Sequence, residues 1–136
     1  MQQKELITIA IAYSQTTFRK GIEAYLQFAK NCPIKIAISA ANGSELIDAL
    51  VSAPRLPDVV VLDINMPVMN GYSAVKVIRQ RWPDQKILIL VEHKNNYALG
   101  RVISYGANGF LSKGASIGEL FDTISQITGI NGIVLN

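Results

Sequence analysis

Asp63 is the residue of this sequence whose position most invites chemistry. It follows the unbroken apolar run Val59-Val60-Val61-Leu62, the pattern of a strand buried on both faces, so its carboxylate emerges at a strand's carboxyl end. Met66-Pro67 and Asn70-Gly71 come next, punctuation for a loop that folds back before a helix. On its own, such a carboxylate is either a helix cap or a member of the crevice where doubly wound sheets gather their functional groups. The other reactive side chains offer less. His93 is the single histidine and sits beside Lys94-Asn95-Asn96 in a loop-like stretch, which makes it a solvent-facing residue and excludes a histidine-rich metal centre. The single cysteine, Cys32, excludes an internal disulfide and every multi-cysteine metal site; it reads as a small hydrophobe near a strand.

The elements that must position Asp63 alternate in type. Leu6–Ala12, Ile34–Ile38, Val59–Leu62 and Ile87–Val91 are short, β-branched-rich runs, with Gly109-Phe110-Leu111 a weaker fifth. Between them the period changes to that of a helix. Phe18, Ile22, Tyr25, Leu26 and Ala29 form one stripe, Ile117, Leu120, Phe121, Ile124 and Ile127 another, and Val75, Ile78 and Trp82 mark a helix after Gly71. A stretch from about Asn96 to Tyr105 is the least apolar helix, weakened by Gly100. Asn42 with Glu45 and Ser116 with Glu119 have capping-box spacing. The result is an α/β chain, (βα)₅, and right-handed crossovers turn it into a doubly wound five-stranded parallel sheet.

Composition bounds the rest. The chain has 136 residues, 49% hydrophobic and 17% charged, which suits one folded domain and excludes disorder. Thirteen Lys and Arg against ten Asp and Glu leave a net charge of +3, with no basic run to argue for nucleic-acid binding. Leu6–Tyr13 is too short for a secretory h-region, and no stretch approaches the ~20 apolar residues of a membrane span. The expectation is a cytoplasmic protein without membrane contact.

The segment Pro57-Asp58-Val59-Val60-Val61-Leu62-Asp63-Ile64-Asn65-Met66-Pro67-Val68-Met69-Asn70-Gly71-Tyr72 closely resembles the phosphoacceptor region of bacterial response-regulator receiver domains. The subfamily it is most similar to joins the receiver to a C-terminal helix-turn-helix DNA-binding domain. The likeness extends through Phe18-Arg19-Lys20-Gly21, Ile78-Arg79-Gln80-Arg81-Trp82-Pro83 and Gly106-Ala107-Asn108-Gly109-Phe110-Leu111-Ser112-Lys113, nearly the whole chain. It implies a flavodoxin-like strand order, 2-1-3-4-5, over a receiver at residues 1–128, with 129–136 the start of a linker or tail. It makes Asp63 the aspartyl nucleophile that takes a phosphoryl group from a sensor histidine kinase, and Lys113 the lysine that pairs with Asp63 and then with phosphoryl oxygens. It assigns Asn65 a backbone carbonyl that ligates Mg²⁺, and Phe110 the role of switch aromatic.

The departures from the family pattern carry equal weight. Receivers end their first strand with two acidic residues that hold the metal; here Tyr13 and Ser14 stand there. The switch hydroxyl that ends the fourth strand is replaced by Val91. A pocket that ordinarily carries three carboxylates and one ammonium, net −2, is reduced to Asp63 and Lys113, net zero. Mg²⁺ demands octahedral oxygen ligands and dehydrates reluctantly, so its binding here is expected to be weak. Two residues could compensate. Glu92 could lend a carboxylate at the pocket rim, against the plainer reading of an exposed, uninvolved glutamate. Tyr13 could hydrogen-bond Asp63 and fill the metal volume.

Three functions follow in order. The favoured one is an atypical receiver, weakly phosphorylated or independent of phosphorylation. The second is a fully phosphorylation-competent receiver that controls a DNA-binding output domain beyond Asn136. The third, a small aspartyl-nucleophile phosphohydrolase, needs a second acid two residues after Asp63, where Asn65 stands. The chain is therefore read as a regulator and not as an enzyme. A second copy of the chain, meeting the fourth helix, fifth strand and fifth helix, is the expected partner besides a kinase, with Arg101 and Lys94 lending that face positive charge.

Overall fold

The apolar runs among the described residues become strands or helix faces in the computed structural model, which describes residues 6–29, 32–92 and 96–129. The elements alternate: β1 (Ile7–Ala12), α1 (Thr16–Phe28), β2 (Ile34–Ala40), α2 (Gly43–Ser52), β3 (Val59–Asp63), α3 (Gly71–Arg81), β4 (Lys86–Val91), α4 (Asn96–Ser104), β5 (Gly109–Ser112) and α5 (Ile117–Thr128). The strands form one parallel sheet in the order β2-β1-β3-β4-β5. The expected fold is present. His93, Lys94 and the tail at 130–136 lie outside the described residues.

Position in the sheet explains strand composition. β3 is buried at all of its positions and β4 at all but Lys86, which is why both read as unbroken apolar runs. β2, at the edge, alternates between covered and exposed residues. Because side chains alternate across a strand, β3 feeds two separate cores. Val60 and Leu62 join Leu46, Leu50, Val75, Ile78 and Val102 beneath α2, α3 and α4. Val59 and Val61 join Ile22, Leu120, Phe121 and Ile124 beneath α1 and α5.

Local chemistry fixes the helix ends. The Ser116–Glu119 capping box is reciprocal. Asn42 accepts from the Glu45 amide at 2.9 Å, but Glu45 answers to the Ala41 amide and to the Asn42 side chain. Asn70, read from sequence only as loop punctuation, caps α3 through the Ser73 amide at 3.0 Å. Trp82, placed on the α3 stripe, is the residue that ends the helix.

The loop from β3 to α3 is the tightest part of the chain. Val68 adopts φ 65°, a left-handed value costly for a β-branched residue, and the Met69 amide donates to the Pro67 carbonyl at 2.6 Å. The Gly43 amide, at the start of α2, donates to the Met69 carbonyl at 3.1 Å. Gly71 donates to the Ile64 carbonyl at 3.0 Å. A Cβ at Gly71 would lie 2.6 Å from both the Asp63 carbonyl oxygen and Ile64 Cα. Only glycine lets α3 start this close to the end of β3.

Gly71→Ala is accordingly expected to lower the unfolding free energy by about 2 kcal/mol, since backbone must move to admit the methyl group. Gly21, within α1, has nothing within 4 Å of an added Cβ, so Gly21→Ala should raise it by about 0.5–1 kcal/mol. Urea denaturation of both variants checks the pair; equal effects would show that the close approach at Gly71 is not the constraint.

Candidate functional site

Parallel register brings Asp63, Val91 and Lys113 together at the carboxyl ends of the strands. Asp63, the last residue of β3, pairs with Leu90, and Val91 pairs with Ser112 at the end of β5. The Lys113 amide then donates to the Val91 carbonyl at 2.8 Å. Lys113 thus starts two strands away from Asp63, about 10 Å across the ladder, and its four-carbon stem crosses the end of β4 to reach it. Lys113 Nζ lies 2.7 Å from Asp63 Oδ1. The same oxygen accepts the Asn65 amide at 3.0 Å, an Asx turn that starts the tight loop. Asp63 is 2% exposed and the Lys113 side chain 15%.

These groups line an open cleft of about 530 Å³, together with Tyr13, Ser14, Gln15, Glu92 and Gly114. The Tyr13 amide is tied to the Ala40 carbonyl at 3.0 Å, and its buried ring stacks on Phe18 at 4.1 Å with the planes 19° apart. Lys113 Nζ stands 5.5 Å from the centroid of that ring, within cation–π range. Tyr13 therefore presents its ring to the ion pair, and not the hydroxyl-to-Asp63 bond that the sequence left open. Phe18 supplies the platform, a role the sequence hid because Phe18 also belongs to the apolar stripe of α1. Glu92 is 60% exposed, yet its Oε1 comes within 3.7 Å of Lys113 Nζ. It belongs to the cleft, and the local charge becomes −1 with Asp63, Glu92 and Lys113 counted together.

The cleft's electrostatics centre on Lys113. Burial pulls its ammonium down, but the hydrogen bond and charge of Asp63, helped by Tyr13 and Glu92, outweigh burial and hold it above its ordinary value. Burial pushes the Tyr13 phenol up; the charges of Asp63 and Glu92 push the same way and Lys113 opposes them. A neutral phenol thus occupies the end of β1. The groups that could hold a cation are the Asp63 carboxylate, the Asn65 carbonyl and the Glu92 carboxylate, all at the cleft.

The two switch positions lie behind the cleft. Val91 is 2% exposed in the core beneath α2–α4 and has no side-chain hydrogen-bond donor. Phe110 is partly buried against the same core. Arg101, expected on the outer face with α5, is turned toward α3 and lies 4.2 Å over the Tyr72 ring, because the ring faces satisfy its guanidinium better than open solvent.

A doubly wound five-stranded sheet with a buried aspartate at the end of its third strand, paired to a lysine after its fifth, defines the aspartyl receiver class. Residues 9–125 match the response regulator receiver domain, and the chain belongs to that family, the receivers of two-component signalling. It is 31% identical over 131 residues to the transcriptional regulatory protein LnrK of Bacillus subtilis, covering 96% of this chain and 57% of that protein. It is 30% identical over 122 residues to the response regulator UvrY of Escherichia coli, covering 90% and 54%. The crystal structure of a LuxR-family two-component response regulator from Aurantimonas sp. SI85-9A1 has the same fold, with a TM-score of 0.81, 23% identity and coverage of 92% and 86%. The chain spans about half the length of the curated relatives it matches. No helix among the described residues is long and apolar enough to cross a membrane.

Lys113→Met keeps the stem and removes the charge, leaving a buried carboxylate without its partner. The variant should unfold about 3 kcal/mol more easily at pH 7. Because the folded Lys113 pKa is raised, the pair's contribution is fully present below the unfolded value of 10.5 and is lost as pH rises toward the folded value. The wild-type advantage in urea melts should therefore stay level from neutral pH to about 10 and shrink above that.

Proposed function

We propose that this receiver works with little or no Mg²⁺-assisted phosphorylation of Asp63, as a signalling module whose partners recognise the folded domain itself. The observation that carries the reading is the Tyr13 ring, stacked on Phe18 beside Lys113 at the end of β1, where receivers place the carboxylates that hold the metal. Mg²⁺ needs several hard oxygen donors in octahedral array. The buried carboxylate that remains, Asp63, already accepts from Lys113 and from the Asn65 amide on one oxygen. The donor set does not fit the ion. Val91 supplies no hydrogen-bond donor to draw toward a phosphoryl group, so coupling from Asp63 to Phe110 is weak as well.

A second reading keeps phosphorylation. Glu92 lies in the cleft and within 3.7 Å of Lys113, which supports it as a substitute ligand for a phosphorylation-competent receiver. Under either reading the chain is a regulator with no turnover chemistry, acting in the cytoplasm. LnrK, a transcriptional regulatory protein matched over 57% of its length, supports a DNA-binding output domain in the parent protein. A second copy would meet it through α4, β5 and α5, where Ile103 is 49% exposed. A histidine kinase is the partner of the competent reading.

Intact mass after incubation with acetyl phosphate, with and without Mg²⁺, decides between the two. The expectation is no phosphoryl adduct in either condition. A Mg²⁺-dependent adduct that disappears in Asp63→Ala and falls in Glu92→Gln would establish the competent reading. Restoring the acids, Tyr13→Asp with Ser14→Asp, should raise Mg²⁺ affinity by at least about tenfold in calorimetric titrations, since two carboxylates rejoin the donor set. Unchanged affinity would mean that the missing acids are not the cause.

A further inference from the structure

Away from the cleft, Lys76, Arg79 and Arg101 converge on Tyr105-Gly106, where the chain leaves α4 for β5. Lys76 Nζ stands 4.2 Å from the centroid of the Tyr105 ring. The Arg101 guanidinium lies 4.2 Å from the centroid of Tyr72 and 5.6 Å from that of Tyr105, and it donates to the Tyr105 hydroxyl at 3.3 Å. Arg79 donates twice to the Gly106 carbonyl, at 3.1 and 2.6 Å. The two tyrosines meet edge to face at 5.7 Å. In sequence, neither α3 nor α4 contains an Asp or Glu, so the formal charge that both helices contribute is positive throughout. The Tyr105 phenol is held below its ordinary value by the Arg101 hydrogen bond and by the charges of Arg101 and Lys76, as a concentrated positive field requires.

We infer that α3 and the α3-facing side of α4 form a docking surface for an acidic protein segment, one that presents consecutive Asp or Glu side chains. Charge complementarity selects the partner. The cations are already held over rings and carbonyls, so fewer side-chain rotamers are lost when carboxylates arrive. A single-stranded nucleic acid fits the surface less well, because the ring faces it would use for base stacking carry the cations instead. The surface lies where α4 meets α3, away from the Asp63 cleft.

The test is fluorescence anisotropy of a fluorescein-labelled deca-glutamate peptide with the full chain at low salt. Lys76→Gln with Arg101→Gln should weaken binding about tenfold. Lys20→Gln with Lys35→Gln, which removes the same charge from exposed positions on α1 and β2, should weaken it less than about twofold. Because Arg101 also ties α4 to α3, exposed Lys76→Gln alone, with an unchanged thermal melt, should still cost about threefold. A single-stranded DNA of equal charge should bind more weakly than the peptide. Equal losses in the two double variants would reduce the effect to net charge and overturn the inference. So would tighter binding of DNA, or no measurable binding of the peptide.

Discussion

A carboxylate at 2% exposure has to be compensated, and in this receiver the compensation is one ammonium 2.7 Å away. Much of the fold follows from delivering those two groups to the same point. Asp63 is fixed by pairing of β3 with β4, and Lys113 by the backbone bond from its amide to Val91. The loop that leaves Asp63 must turn at once, so Asn65 returns its amide to the carboxylate and Val68 accepts a left-handed backbone. Gly71 then lets α3 begin against the backbone of Asp63 and Ile64.

The same pair shapes the chemistry. In a metal-binding receiver three carboxylates outweigh the ammonium; here Lys113 faces Asp63 and the exposed Glu92, and an aromatic stack occupies the end of β1. The ring is compatible with a neighbouring ammonium in a way that a second hydrated cation is not. Glu92 adds charge at the rim but is 60% exposed, where water competes for it. Helix α4 is fastened to α3 by cations over tyrosine rings, while Val91 is buried in the core and Phe110 packs against it.

Much of this was legible in the sequence, for physical reasons. Continuous apolar runs at Val59–Leu62 and Ile87–Val91 arise only where both faces of a strand are covered, so the central strands and their flanking helices could be read directly. Strand ends were less visible. Backbone bonds carry β2 on to Ala40 and β5 to Ser112, beyond the apolar stretch of each. The cap at Asn70 was hidden because Asn-Gly reads as a turn, and the role of Gly71 depends on a backbone approach that no local pattern encodes. Asp63, Lys113, Asn65 and Tyr13 were placed by the resemblance, and the structure gathers them in one cleft. The Tyr13–Phe18 stack and the Tyr72–Tyr105 cation cluster join residues from different elements or turns, so periodicity gave no signal for either. Arg79 and Asn108, which bind each other and the ends of β4 and α4, escaped for the same reason.

The proposal turns on the Tyr13 ring standing beside Lys113 and Asp63 in the place of the acids that hold a metal. It is tested most directly by following the backbone amide of Asn65, which donates to Asp63 Oδ1, in ¹H–¹⁵N spectra during a Mg²⁺ titration of the unmodified chain. No saturable shift of that resonance is expected up to about 10 mM Mg²⁺. A saturable shift at Asn65 that is abolished in Asp63→Asn would place the ion on the carboxylate and contradict the proposal.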